Sequence, residues 1–128
     1  MKVRCKNIYN IITKQFMTGS RSLTIGREYI VLEMYIDPSK NVFYKLEGDA
    51  KMPTVHDSTQ FEIISSHIPS NWVIYQDSPS SNSFTLGPKA WAAENFGEDY
   101  ENLVPKAIQT YEEEVKIILR EEYLESNK

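Results

Sequence analysis

Hydrophobic residues recur with two periods along this chain. Up to Ser65 they fall at every second position or in short continuous runs, as in strands with one or both faces buried. Beyond Asn102 they fall every three or four residues, as on one face of a helix. Val3 to Lys6 reads as a first strand. The segment "NIYNIITKQFMTGSRS", residues 7–22, is a long polar and aromatic excursion that forms an irregular hairpin of its own. In "LTIGREYIV", Leu23 and Ile25 alternate up to Gly26, which lacks a Cβ and admits backbone conformations that other residues resist. Tyr29 to Ile36 is then rich in β-branched and aromatic residues.

The cluster "DPSKN", Asp37 to Asn41, predicts a turn that returns "VFYKLEG" antiparallel to the strand before it. "GDAKMP" predicts another turn. Ser58 to Ser65 ends the β set, with Phe61, Ile63 and Ile64 as apolar anchors. Residues 67–86 read as a connector holding one strand-like piece, "NWVIYQ", and an exposed serine-rich loop, "DSPSSNS".

Helical signals follow. Gly87 and Pro88 suit an N-cap and first helical position, and Gly97 suits the stop of a short helix containing Trp91. Asn102 caps a second helix, along which Val104, Ile108, Tyr111, Val115 and Ile118 form a stripe that Ala107 and Leu119 widen. Pro105 is tolerated because it falls in the first turn. At 1.5 Å per residue such a helix is roughly 30 Å long, enough to span the whole β half. The opposite face carries Glu112, Glu113, Glu114, Lys116, Arg120, Glu121 and Glu122 and reads as solvated. These elements predict one α+β domain over residues 1–128, divided into a β portion (1–66), the connector (67–86) and a helical portion (87–128). Five short strands, a long first loop and a glycine-marked turn before the central hairpin resemble a small SH3-like antiparallel β-barrel. The β portion lacks the aromatic start and the groove tyrosine and proline of peptide-binding SH3 domains, so proline-motif binding is not implied.

With 41% hydrophobic and 25% charged residues the chain matches ordinary folded domains, so disorder is not expected. No apolar run reaches the roughly 20 residues that cross a bilayer, and the start "MKVRCKNIYN" has no signal-peptide h-region. A cytoplasmic protein is expected, with no membrane association. The single cysteine, Cys5, agrees with a reducing compartment and reads as a small buried strand residue rather than a reactive thiol. Charge is unevenly placed. Residues 1–60 hold nine Lys/Arg against six Asp/Glu, whereas residues 94–128 hold four against ten. That asymmetry bears on association rather than fold.

Chemistry is sparse. His56, Asp57 and Ser58 supply the residue types of a hydrolase triad, but neighbours on a strand point to opposite faces. His67 has no companion at metal-ligand spacing, the glycines form no phosphate loop, and the alternating acidic loop of an EF-hand is missing. No enzyme activity, cofactor or metal is expected. The distinctive segment is "AENFGEDYENL", Ala93 to Leu103, where Glu94, Glu98, Asp99 and Glu101 interleave with Phe96 and Tyr100. It reads either as a polar loop with its aromatics packed inward or as a negative patch with aromatic anchors for a basic partner.

Taken together, "LTIGREYIVLEMYI", "VFYKL", "STQFEII", "IPSNWVI" and "NFGEDYENLVPKAIQTYEEEV" resemble the small immunity proteins of bacterial polymorphic toxin systems, including contact-dependent growth inhibition. The resemblance implies a protein that binds one cognate toxin domain, often a nuclease with a basic surface, and occludes its active site. Glu94, Glu98, Asp99, Tyr100, Glu101 and Trp91 are the expected toxin contacts. Two rivals stand: a non-catalytic SH3-like adaptor, and a nucleic-acid binder using Lys2, Arg4, Lys6, Lys14, Arg21 and Arg27. The second is disfavoured because the concentrated charge is negative. Oligomeric state is left open, although strands from the excursion could pair edge to edge.

Overall fold

The computed structural model describes residues 1–76 and 79–128. Asp77 and Ser78, the first two residues of the serine-rich loop, lie outside the described residues. The fold is α+β, a mostly antiparallel sheet followed by two C-terminal helices, the second long. Its spine is the strand at Glu28–Ile36. Numbered in chain order, β1 is Lys2–Cys5, β2 Ile8–Asn10, β3 Gln15–Met17, β4 Glu28–Ile36, β5 Val42–Glu47, β6 Pro53–Asp57 and β7 Phe61–Ser65.

The first residues of β4 pair with β1 and the later ones with β5, and the register slips between Val31 and Glu33. Successive strand residues normally face opposite ways, yet Val31 and Leu32 are 0% and 2% exposed. Leu32 is the extra residue of a bulge, which allows two consecutive residues of β4 to stay buried at that point. With β6 on β5 and β7 on β1, the path runs β6-β5-β4-β1-β7. β6 and β7, at its ends, do not pair with each other, so the sheet is not closed into a barrel.

The excursion forms the expected hairpin, β2 against β3. Gly26 adopts φ +89°, and its N–H donates to the Cys5 carbonyl at 2.7 Å, pinning the turn to β1. Cys5 is fully buried. Beyond "GDAKMP" the β set differs from expectation. Pro53 to Asp57 form a strand, because five residue pairs with β5 outweigh the weak local pattern. Ser58 to Gln60 make a 3-10 turn that the Asp57 side chain caps, so the last strand of the path begins only at Phe61. Phe61 is buried, but Ile63 and Ile64 are exposed on β7, which among the described residues pairs with β1 alone.

The connector is a second hairpin, β8 (Trp72–Tyr75) against β9 (Phe84–Pro88), and β9 pairs with Met34 to Ile36 of β4 along the edge that β1 leaves free. Ser83, expected in an exposed loop, is buried just before β9. Gly87 and Pro88 consequently end a strand, and Pro88 also caps the short 3-10 turn that stands where a helix is expected. Trp91 lies in a 3-10 turn, Lys89–Ala92. The helix α1, Phe96–Glu101, starts after it, so Gly97 sits inside α1 and is not its stop. Asn102 closes α1, donating its N–H to the Glu98 carbonyl at 2.9 Å, and Leu103 turns the chain with φ +58°. Val104 then caps α2, Pro105–Ser126, with Pro105 in the first turn.

On α2, Ala107, Tyr111 and Ile118 are buried and Ile108 and Val115 half-buried, whereas Val104 and Leu119 remain exposed. The face expected in water is partly internal. Glu122, 2% exposed, lies 2.8 Å from the Met1 ammonium and accepts from the Ser65 hydroxyl at 3.0 Å. Burial opposes its ionisation, but those two partners prevail and hold its pKa below the ordinary glutamate range. Glu121 accepts from the Ser70 hydroxyl and, at 2.8 Å, from the Ser70 N–H. Glu114 accepts from Asn71 at 3.3 Å. These carboxylates stitch α2 to residues 65–71.

Candidate functional site

The acidic segment rests on a stack of rings. Trp91 is 5% exposed, and its ring is stacked on Tyr111 at 5.1 Å and 16° and on Phe96 at 6.0 Å and 7°. Tyr100 leans on Tyr111 at 4.8 Å and on Phe96 at 6.2 Å. Phe96 and Tyr100 are four residues apart on α1 and so share one face. That inward face leaves Glu98 and Glu101 exposed, with Asp99 half-buried and Glu94 exposed in the preceding turn.

Lys45 on β5 places its Nζ 5.4 Å from the Trp91 ring centre, a cation–π contact. The Tyr111 hydroxyl donates to Glu47 at 2.6 Å. Burial first and Glu47 second push the Tyr111 pKa far up, and burial, followed by Glu47 and Glu112, raises that of Tyr100. The structure thus gathers Glu98, Asp99, Tyr100 and Glu101 on one short helix beside Glu94. Trp91 does not reach the surface; it supports the patch from beneath. Among the described residues none of these four carboxylates has an ion-pair partner. Between α1 and the start of α2 lies a groove of about 530 Å³ with Phe96, Val104 and Ala107 in its lining and Glu94, Asp99 and Lys106 among its polar groups.

A second surface was not singled out from the sequence. The β2–β3 hairpin overhangs β6 and the 3-10 turn, leaving an open groove of about 670 Å³ whose lining includes Ile8, Ile12, Met17, Leu23, Phe43 and Val55. Ile11, Ile12 and Phe16 are 77%, 88% and 73% exposed, and Val55 is 58% exposed. The hairpin is shaped locally. The Asn10 side chain accepts from the Ile12 and Thr13 N–H groups, Lys14 takes φ +57°, and Tyr9 meets Phe16 edge-on at 5.4 Å. It is tied to the 3-10 turn before β7 where the Tyr9 N–H donates to the Gln60 side chain at 3.0 Å. The available signal was the density of large apolar residues, Ile8, Tyr9, Ile11, Ile12, Phe16 and Met17, in a segment too short to bury them.

The other candidates have partners that account for them. The Asp57 carboxylate accepts from the Thr59 N–H and hydroxyl, while His56 lies 2.7 Å from the Thr54 hydroxyl and edge-on to Phe61, so Ser58, His56 and Asp57 do not form a relay. Burial lowers the His56 pKa. His67 sits between Glu121, at 3.2 Å, and Glu125, at 3.7 Å. Burial raises the Cys5 thiol, with Asp49 adding to the effect. Of the N-terminal cations, Arg4 pairs with Glu28 and Glu62, Arg27 with Asp49, and Lys2 lies 3.9 Å from Glu28. Among the described residues no group of three or more His, Cys, Asp or Glu is placed to hold a metal, and no helix is long and apolar enough to cross a membrane. No protein-family model, curated protein or solved structure matches this chain.

Proposed function

We propose that this protein is a cytoplasmic immunity protein that binds a cognate bacterial toxin domain, such as a nuclease, and covers its basic active site without doing chemistry itself. The observation that carries this reading is the set of four unpaired carboxylates, Glu94, Glu98, Asp99 and Glu101, mounted on a rigid aromatic base. Unpaired carboxylates retain their full attraction for a cationic groove and raise the association rate, and Tyr100, half-buried at the rim, adds apolar contact that slows dissociation. A patch that does not shift on binding spares the ordering cost a flexible loop would incur.

We read residues 1–66 as SH3-like. Support comes from the strand path β7-β1-β4-β5-β6, the long hairpin-bearing excursion between β1 and β4, the Gly26 turn and the 3-10 turn before β7. On this reading α2 is the back wall that fixes α1 relative to the sheet.

The test is co-purification with the toxin domain encoded beside this gene. Reversing Glu98, Asp99 and Glu101 to lysine should weaken binding by about tenfold or more and flatten its salt dependence. Unaltered affinity and salt dependence would reject the α1 interface. The second reading, a non-catalytic adaptor module, is favoured by the apolar groove under the β2–β3 hairpin; the absence of a toxin gene beside this one would shift the balance to it.

A further inference from the structure

We propose that the groove between the β2–β3 hairpin and β6 is a docking surface for an extended, acidic segment of a partner protein that alternates carboxylates with apolar side chains. It shares no residue with the α1 patch. Three features of the groove specify that occupant.

The first is apolar area. Ile12, Met17 and Val55 line the groove and are 88%, 42% and 58% exposed, with Ile11 and Phe16 exposed on the same hairpin. Isolated exposed apolar residues are ordinary, but Ile11, Ile12, Met17 and Val55 all fall in this one lining and make a contiguous patch of the kind that marks a binding site.

The second is charge. No Asp or Glu occurs from Met1 to Arg27, and the excursion that supplies one wall carries Lys14 and Arg21, with Lys6 just before it; all three stand beside the groove's lining rather than in it. None of those three has an ion-pair partner among the described residues. The carboxylate on the opposite wall, Asp57, is already occupied by the Thr59 N–H and hydroxyl. Carboxylates at the edge of a docked segment would meet unpaired cations flanking the groove, whereas a basic segment would be repelled there.

The third is backbone geometry. β6 pairs only with β5 and β3 only with β2 among the described residues, so two strand edges flank the groove. An added strand of about five residues would run some 17 Å along β6, placing alternate side chains against the apolar lining and the rest towards the cations.

Panning a phage-displayed random-peptide library on the full-length chain, followed by fluorescence anisotropy with the recovered peptides, tests this. The expected peptides are rich in Asp and Glu alternating with Val, Ile or Phe. Ile12→Glu combined with Val55→Glu should weaken them about tenfold or more, and Lys14→Glu with Arg21→Glu should remove the salt dependence of binding. All four side chains are at the surface, so circular dichroism of the variants should match the parent; amide NMR shifts on binding should centre on Ile8, Val55 and Gln60. Glu98→Lys and Asp99→Lys should leave peptide binding unchanged, which separates this surface from the toxin interface. Recovery of no peptide, or of basic ones, would overturn the proposal. So would indifference to the groove variants, or a dimer of the chain that Ile12→Glu dissolves.

Discussion

Tyr111 in the middle of α2 donates its hydroxyl to Glu47 at the end of β5, 2.6 Å away, and the stack of Trp91 and Tyr100 rests on the same ring. That one residue couples the long helix, the sheet and the acidic patch. Tyr111→Phe keeps the ring and should cost about 1–2 kcal/mol, while Tyr111→Ala should cost about 3–5 kcal/mol. Urea denaturation would show a lower midpoint with an unchanged slope. Because the folded pKa of Tyr111 is raised, its stabilisation holds below the unfolded value of about 10 and is lost as pH rises further. Its absorbance change should therefore coincide with alkaline unfolding.

Asp49 ties the Gly26 turn to the β5–β6 turn. Its carboxylate accepts from Thr24 and Arg27, each at 2.7 Å, and from Tyr29 at 2.9 Å. The Thr24 hydroxyl leads in lowering its pKa; partial desolvation opposes this, and Tyr29 and Arg27 add to the lowering. The stabilisation is present above the unfolded value of about 3.9 and is lost as pH falls through the lower folded value. Asp49→Asn should cost about 1–2 kcal/mol at neutral pH. The gap between wild type and variant, read from urea melts, should narrow below about pH 4.

Gly48 precedes this aspartate, and a methyl group there would overlap the Ser22 backbone carbonyl, which also accepts from the Asp49 N–H at 2.8 Å. Backbone cannot swing aside. At Gly87 a methyl would meet the Glu33 side chain, at 2.7 Å from its Cγ, and that chain can move. Gly48→Ala should therefore lower the melting temperature markedly, by the equivalent of about 1–3 kcal/mol, and Gly87→Ala by less. Equal losses would show that the contact at Ser22 relaxes.

His56 is half-buried against Phe61, and burial alone accounts for its lowered pKa. The neutral ring is the form the fold accepts. Stability should be full above the unfolded value of about 6.5 and fall as pH drops towards the folded pKa. An NMR titration should place the His56 midpoint below that value, and His56→Gln should reduce the loss of stability between neutral and mildly acidic pH.

Much of this architecture is legible in the order of residues. The 3.6-residue stripe through Ala107, Tyr111 and Ile118 specifies α2, Gly26 marks its turn, and the polar and aromatic excursion declares its own hairpin, because each depends on residues close in sequence. The acidic residues of the candidate patch were also visible, as a run interleaved with Phe96 and Tyr100, although the sequence reads them as a turn between helices and the structure makes them the helix α1.

Contacts between distant segments decided the rest. Gly87 and Pro88 carry a helix-start signal, yet Val73 and Trp72 of β8 pair with them and extend β9 through Pro88, so that only a 3-10 turn starts there. Trp91, an expected contact residue, is drawn under Phe96, Tyr100 and Tyr111 because a large ring is worth most where water is excluded. Glu122 looks solvated on a helical wheel, yet it is buried with the Met1 ammonium, which lies far away in sequence. The groove beneath β2 and β3 depends on tertiary anchors, with the Gln60 side chain and the buried Ile8 holding the hairpin over β6. The sequence by itself determined periods, turns and the separation of charge, all local properties of the chain. Which polar groups found partners and which apolar ones stayed uncovered depended on the three-dimensional neighbours, because burial and pairing are free energies of juxtaposition rather than of any single residue.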